Sequence, residues 1–436
     1  MDILNDNENR LFFRFLIPTI GATLITSIYI LADAIIIGRF INERAMAALN
    51  VLTPIFSLFN GTGYLLGVGG SVLMSASFGE KRIEKGQGFF TVSVACAVVF
   101  SVFYMIVLLL GFNFIVRLIG ATDDIIDYVR QYGYILASGA PLFIFSSMLQ
   151  VFVRNDMSPK IAMAGVMAGG IANVILDYLF IVGFDMGIAG GALATLIGCV
   201  LSLGLYGVHF LSKSNRLKIK FKEFSFGKMR RIFKSGFPNF FIEISNAVLI
   251  SLFNIQLGRL IGFEGITAFG VIENSYLVVN SLSNGVAQTV QPLIAANYGA
   301  ENKKRVKSFF KAGFLTALII SVIVTLIGEI HPEYILNLFV NADESLKDIA
   351  VPAIRIYFVS FLMAVSSIYL SGYFQAVMMS RYSMIICVLR GLILSGIFVF
   401  LFPALFGVSS VWYVMPAAEL ITLLYGIYAL KCKIKL

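Results

Sequence analysis

The feature that most limits what this chain can fold into is a succession of apolar stretches, each about as long as a bilayer is thick. A helix needs roughly 20 mainly apolar residues to cross the hydrocarbon core. Twelve stretches meet that requirement: 12–37, 46–73, 89–114, 126–152, 160–184, 187–211, 236–261, 264–295, 309–330, 352–378, 383–405 and 409–430. Inside a bilayer every backbone N–H and C=O must find a partner within the segment, so such stretches become helices. Only 13% of the residues are charged, against about a quarter in soluble domains. The 40 Phe and 39 Gly fit lipid-facing surfaces and close helix packing. The expectation is an all-α polytopic membrane protein without a soluble domain. Pro18, Pro159, Pro238 and Pro352 stand near span starts, as a first helical turn or a kink would have them.

Several classes are disfavoured at once. The polar start, MDILNDNENR, has no basic n-region and does not read as a cleavable signal peptide. Cys96, Cys199 and Cys387 lie in apolar runs, and with Cys432 they form no CxxC spacing, so neither a disulfide nor a zinc site is expected. The two histidines, His209 and His331, sit near span ends, far from any metal or His-based catalytic pattern.

The basic residues set an orientation. With the N-terminus inside, inner segments carry 25 Lys and Arg and outer segments six; Arg130 and Arg390 fall within spans. Positive residues concentrate on the cytoplasmic side, so both termini are expected in the cytoplasm of a multi-pass protein of the cell (inner) membrane. The same bias explains the net charge of +9. No nucleic-acid partner is needed for the basic stretch KSNRLKIKFKEFSFGKMRRIFK, which lacks a base-stacking module.

That stretch divides the chain into six spans and six spans: an N-terminal bundle 1–211, a basic cytoplasmic linker 212–235 and a C-terminal bundle 236–436. The halves match at an offset of 220 residues. Pro18 pairs with Pro238, Gly38 with Gly258, Arg39 with Arg259, SFGEK at 77–81 with NYGAE at 297–301, Leu118 with Leu338 and Asp123 with Asp343. A further shift of five would pair Gln150 with Gln375 and Ser158 with Ser383. An even number of spans per half makes the two bundles enter the membrane in the same sense, related by an axis along its normal. Two such bundles across a cleft suit alternating access.

Ionisable residues at membrane depth mark function by default, because placing one there costs on the order of 3 kcal/mol even on lenient scales. The N-terminal half has Asp33 on the first span and Asp177 on the fifth, with Asn173 one helical turn before Asp177 and Thr195 on the sixth. At about 1.5 Å per residue these lie roughly 6, 10, 16 and 12 Å from the outer side, for Asp33, Asp177, Asn173 and Thr195. Four polar groups from three spans therefore share one layer. Two carboxyls in a poorly solvated site resist double ionisation. Such a layer suits uptake of a proton. Its oxygens equally suit Na⁺, a hard cation. Asp33 alone also fits an interfacial position beside Arg39. No other metal and no cofactor are expected.

The C-terminal half offers cleft candidates of its own: Glu243, Glu273, Glu419 and Arg390. Glu243 and Arg390 come at similar depth, about 10 Å from the cytoplasmic side, and are expected to pair as a structural salt bridge. Glu273 and Glu419, about 14–15 Å from the outside, either line the cleft or are satisfied by neighbouring Ser, Asn and Tyr. Tyr128, Tyr132 and Tyr134 on the fourth span read as core packing before cation stacking. The Gly-rich GTGYLLGVGG reads as helix packing and not as a phosphate loop, since no strand precedes it.

Four stretches then resemble the multidrug and toxic compound extrusion (MATE) family: LADAIIIGRFINERAMAALNVLTP, GVGGSVLMSASFGEK, NVILDYLFIVGFDMGIAGGALAT and QPLIAANYGAENKKRVK. The resemblance covers all twelve spans. It implies two pseudo-symmetric six-helix bundles forming a V-shaped cleft, and H⁺- or Na⁺-coupled antiport of drugs and other small organic molecules. In one branch of that family the ion site joins an Asp of the first helix, an Asn and an Asp of the fifth and a Thr of the sixth. Asp33, Asn173, Asp177 and Thr195 match those positions. Another branch uses a Glu of the seventh helix, matched by Glu243, and an Asp of the tenth, for which this chain has no counterpart. Tyr178 follows Asp177 where many relatives have Pro, which leaves the course of the fifth helix open. The expected partners are a small organic substrate and membrane lipid, with the protein a monomer. The rivals are a lipid-linked saccharide flippase of the wider superfamily, which would favour a basic cleft, and an intramembrane enzyme. The chain has no HExxH or GxSxG, so an enzyme is not expected.

Overall fold

The structure, a computed structural model, describes residues 3–119, 121–340 and 344–433, without the side chains of Ala34, Gly38, Glu43, Phe263, Cys432 and Lys433. Asp343, paired above with Asp123, and the basic Lys435 lie outside the described residues. What is described is nearly all helical and divides into two compact units.

The first unit holds Phe13–Ile244 together with the residues up to Asp6. It contains most of α1 (Glu8–Phe40), then α2 (Glu43–Gly79), α3 (Ile83–Leu118), α4 (Ile126–Ser138), α5 (Ala140–Asn155), α6 (Pro159–Asp177), α7 (Gly187–Phe210) and the first half of α8 (Phe226–Leu260). The second holds Asn7–Phe12 and the chain from Ser245 onward. Its helices are the rest of α8, α9 (Phe263–Gly299), α10 (Lys303–Ile330), α11 (Pro332–Phe339), α12 (Glu344–Ala376), α13 (Ser380–Val388), α14 (Leu394–Phe406) and α15 (Val414–Lys433).

Each of the twelve apolar stretches is found as helix. Among the described residues ten helical segments are long and apolar enough to cross a membrane, and the pair α4–α5, bent by 56°, makes an eleventh. The bend falls at Gly139, where α5 opens with Pro141 in its first turn and so lacks a donor for the preceding turn. The remaining stretch is α9. It has 37 residues, but Glu273, Asn274, Asn280, Asn284 and Gln291 thin out its apolar character. Pro159 opens α6, whereas Pro18, Pro238 and Pro352 sit inside helices.

The duplication is written in the backbone. Three pairs of left-handed residues recur: Lys81 and Glu301 (φ 59° and 58°), Met157 and Met378 (68° and 61°), Gly187 and Gly407 (59° and 85°). A left-handed non-glycine residue costs about 1–2 kcal/mol, so matched positions mark a requirement of the fold. Side chains repeat too. Asn155 donates to Ser71 Oγ at 2.6 Å, and at the corresponding positions Gln291 donates to Gln375 Oε1 at 3.0 Å. Gln375 therefore answers to Asn155, not to Gln150, and the extra five-residue shift read from the sequence does not exist. An Asn in place of a Gln had hidden the match.

The contact boundary at Ile244 differs from the composition boundary at 211 and 235. Residues 212–235 and the start of α8 pack onto the first unit: Gln87 donates to the Arg216 carbonyl at 3.1 Å, and Lys220 N–H to Thr91 Oγ1 at 2.8 Å. A Cβ on Gly236 would lie only 1.9 Å from the Leu65 carbonyl oxygen, so α2 and α8 meet backbone to backbone. In lipid, close packing of this kind replaces the hydrophobic drive that joins helices in water.

Candidate functional site

The site in the first unit is set by a crossing of two helices. Gly169 on α6 and Gly198 on α7 touch so closely that a Cβ on either would meet the other's carbonyl oxygen at 2.7–2.8 Å. One turn beyond Gly169 stands Asn173, and just before Gly198 stands Thr195. Asn173 Nδ2 donates to Thr195 Oγ1 at 3.3 Å, and the Thr195 hydroxyl donates to the Gly191 carbonyl at 2.9 Å. Tyr132, buried on α4, lies 3.4 Å from the same hydroxyl.

Asp177 is the last α-helical residue of α6. The chain continues as a π-helical turn, Tyr178–Gly183, so the helix changes register without a proline. Such turns inside helices frequently accompany functional sites. Asp177 is fully buried, and a Cβ on Gly191 would be 3.7 Å from its Oδ1. The side chain of Asp33, from α1, lies within interaction range of Asp177. Yet neither oxygen of Asp177 nor Oδ1 of Asp33 has a hydrogen-bond partner of ordinary geometry. No basic side chain among the described residues pairs with either carboxyl. A buried carboxyl without donors is costly.

Asp33, Asn173 and Thr195 also line a cavity of about 390 Å³ within the first unit, with Tyr29, Tyr64 and Glu243 on its wall. Sequence reasoning placed Glu243 in the other half. The structure places it in the first unit, because the opening half of α8 packs there. Tyr29 and Tyr64 were missed; the signal available was Tyr29 one turn before Asp33 on the same helix. Asn60, one turn before Tyr64, accepts from Ser147 at 2.8 Å on the same wall.

The second unit holds a different cluster. Arg390 lies in a π-helical turn, Leu389–Ile393, and donates through Nε (3.0 Å) and Nη2 (2.8 Å) to Glu419 Oε1. Its Nη2 also reaches Tyr276 OH at 3.2 Å, and Ser395 satisfies its carbonyl at 2.8 Å. The expected pairing of Glu243 with Arg390 is thereby corrected: equal depth says nothing about the rotation of two helices, and the partner of Arg390 is Glu419. Glu273 lies within interaction range of Tyr357 on α12. The tyrosines of the fourth span are packing residues: Tyr128 OH accepts from Asn42 at 2.8 Å, and Tyr134 stacks on Phe112 at 4.4 Å. His209 is buried against Asp156 at 2.9 Å. Among the described residues no group of three or more His, Cys, Asp or Glu could hold a metal ion.

Two repeats of six apolar helical spans, each with a buried ionic cluster, define a polytopic membrane transporter in class. The MatE family profile matches residues 18–179 and 238–401, once in each repeat and starting at the two matched prolines. The chain belongs to the MatE family and is a transporter, not an enzyme. It is 26% identical over 410 residues to the multidrug export protein MepA of Staphylococcus saprophyticus, covering 94% of this chain and 90% of that one. MepA of Staphylococcus aureus is 27% identical over 416 residues, with the same coverage. Among solved structures, a MATE crystal structure in complex with MaL6 superposes with a TM-score of 0.90 at 21% identity, covering 98% of both chains. A MOP superfamily transporter from Pyrococcus furiosus does so at 0.89 and 22%, again covering 98% of both. At that identity these two establish the fold.

Proposed function

We propose that this protein is a cation-coupled antiporter that exports drugs or other small organic, often cationic, molecules by alternating access. Asp33, Asn173, Asp177 and Thr195 take the coupling ion, H⁺ or Na⁺. One observation carries this reading: two neighbouring carboxyls are sunk among membrane helices with three oxygens unbonded and no basic partner. A proton or a small hard cation supplies the missing charge. Na⁺ would draw on both carboxylates and on Asn173 Oδ1.

Substrate enters from the cytoplasm or inner leaflet of the cell (inner) membrane, with both chain termini on that side. The ion arrives from outside, neutralises the pair and changes how α1, α6 and α7 pack. Reversing the balance between two facings from 1:99 to 99:1 needs about 5.5 kcal/mol of differential binding, which an ion filling a charged, unbonded site can supply and an ion bound equally in both facings cannot. Tyr29, Tyr64 and Glu243 on the cavity wall suit an organic cation. The relatives' names, as multidrug exporters, support this substrate class. The two six-span halves, joined through 212–235, act as the moving parts of a monomer. Arg390 and Glu419 serve as a structural pair, and Glu273 has Tyr357 as a neighbour.

The test is purified protein in liposomes with pH and Na⁺ gradients imposed separately, following export of a fluorescent organic cation. One gradient should drive export and Asp177→Asn should abolish it. Undiminished gradient-driven export by Asp177→Asn would remove the site from the mechanism.

A further inference from the structure

The segment 212–235 carries nine Lys and Arg and a single acidic residue, Glu223. One side of it is fastened to the first unit. Arg216 donates through N–H (2.8 Å) and Nε (3.0 Å) to the buried Asp156, and its guanidinium lies 4.3 Å from the centre of the Phe78 ring. Leu217 is buried. The Lys220 N–H and the Arg216 carbonyl are held by α3, as described above. Lys228 bonds the Glu223 carbonyl at 2.7 Å, and Arg231 sits 5.2 Å over Phe89.

The other side has no such fastening. Phe221 is 78% exposed and Phe226 74%, with Ile219 and Phe224 also open. Lys213, Lys218, Lys222, Arg230 and Lys234 are exposed on the same stretch, and none of them makes an ion pair with a described residue. Four large apolar side chains and five unpaired positive charges are interleaved along this exposed stretch. Water alone is a poor neighbour for Phe221 and Phe226. The interface of a bilayer takes aromatic and aliphatic side chains at the headgroup level and basic ones beside them.

We propose that this face is an interfacial foot that binds the anionic phospholipid headgroups of the leaflet beneath it. The charges supply the preference, the Phe and Ile side chains supply the depth, and Arg216–Asp156 fixes the angle at which the face is presented. An anionic surface attracts each nearby Lys or Arg by about 1 kcal/mol, or about 5-fold in affinity, and the attraction is screened by salt. The inference goes beyond transport and does not depend on the ion site.

The test uses the full-length protein carrying Phe221→Trp in a Trp412→Phe background, reconstituted in phosphatidylcholine bilayers. Its fluorescence is quenched with brominated phosphatidylglycerol or brominated phosphatidylcholine at equal mole fraction. The proposal expects stronger quenching by the anionic lipid, a preference that falls about 5-fold for each of Lys218→Gln and Lys222→Gln and disappears in high salt. Arg216→Gln is expected to weaken quenching by both lipids, since it frees the segment. Equal quenching by the two lipids, or quenching by neither, as when the face serves a soluble protein partner, would overturn it. The measurement reads lipid contact alone, so it stands whether or not export is ion-coupled.

Discussion

The two units solve the problem of buried charge in opposite ways. Each places its key ionisable group at a π-helical turn of an otherwise α-helical span: Asp177 precedes one, and Arg390 lies in the other. In the second unit the charge has a counter-charge, with Arg390 giving Glu419 Oε1 two hydrogen bonds and reaching Tyr276, although Glu419 Oε2 has no partner. In the first unit it is left open, with Asp33 and Asp177 near each other and no basic side chain among the described residues paired with either. A carboxylate with a guanidinium beside it has its charge balanced within the protein; under the proposed function the open pair takes its cation from outside. Under the proposed function, the difference gives support to one unit and ion binding to the other. It also explains why the acids of the first unit have no counterparts in the repeat, although the backbone around them is duplicated.

The comparison breaks most visibly at Arg390. Arg390→Met should leave Glu419 buried and uncompensated and cost about 3–5 kcal/mol, seen as a large drop in melting temperature in detergent. Adding Glu419→Gln should return most of it. Asp177→Asn should act the other way: no loss of stability without the coupling ion, but loss of the ion's stabilisation, which is about 2.7 kcal/mol when the ion stands at 100 times its dissociation constant. Melting curves with and without Na⁺, and across pH, read this directly. Thr195→Val sharpens the picture of the first unit. It removes the acceptor shared by Asn173 and Tyr132 and should cost about 1–2 kcal/mol, with weaker ion-dependent stabilisation as its signature. At the small end, Arg117→Ala breaks an exposed pair with Asp123 and should change stability by less than about 1 kcal/mol.

Much of this was legible in the chain. Apolar run length found a helix for each stretch, because a bilayer imposes one length on every crossing, although α8 and α12 begin well before their apolar runs, at Phe226 and Glu344 and not at 236 and 352. The 220-residue offset showed the duplication, and depth counting brought Asp33, Asn173, Asp177 and Thr195 to one layer. Rotation was not legible. Counting residues gives an expected height along a helix, and Glu243 and Arg390, counted to similar depth, take different neighbours. The side of α8 that packs on α2 is decided by Gly236 against Leu65, a contact that only three-dimensional packing reveals. The π turns were hidden for a similar reason: Tyr178 carries no breaker signal, and the register change comes from how α6 meets α7. Run length also picked out 264–295, although the polar residues of α9 leave it less apolar than the other spans.

The most direct test of the open pair is a count of cations bound by the purified transporter, with protons released or taken up followed by a pH dye and Na⁺ by equilibrium binding of radioactive sodium. The account predicts that one of the two binds to the wild type, is lost in Asp177→Asn and is retained in Glu273→Gln. Unchanged uptake in Asp177→Asn, or its loss in Glu273→Gln alone, would contradict it.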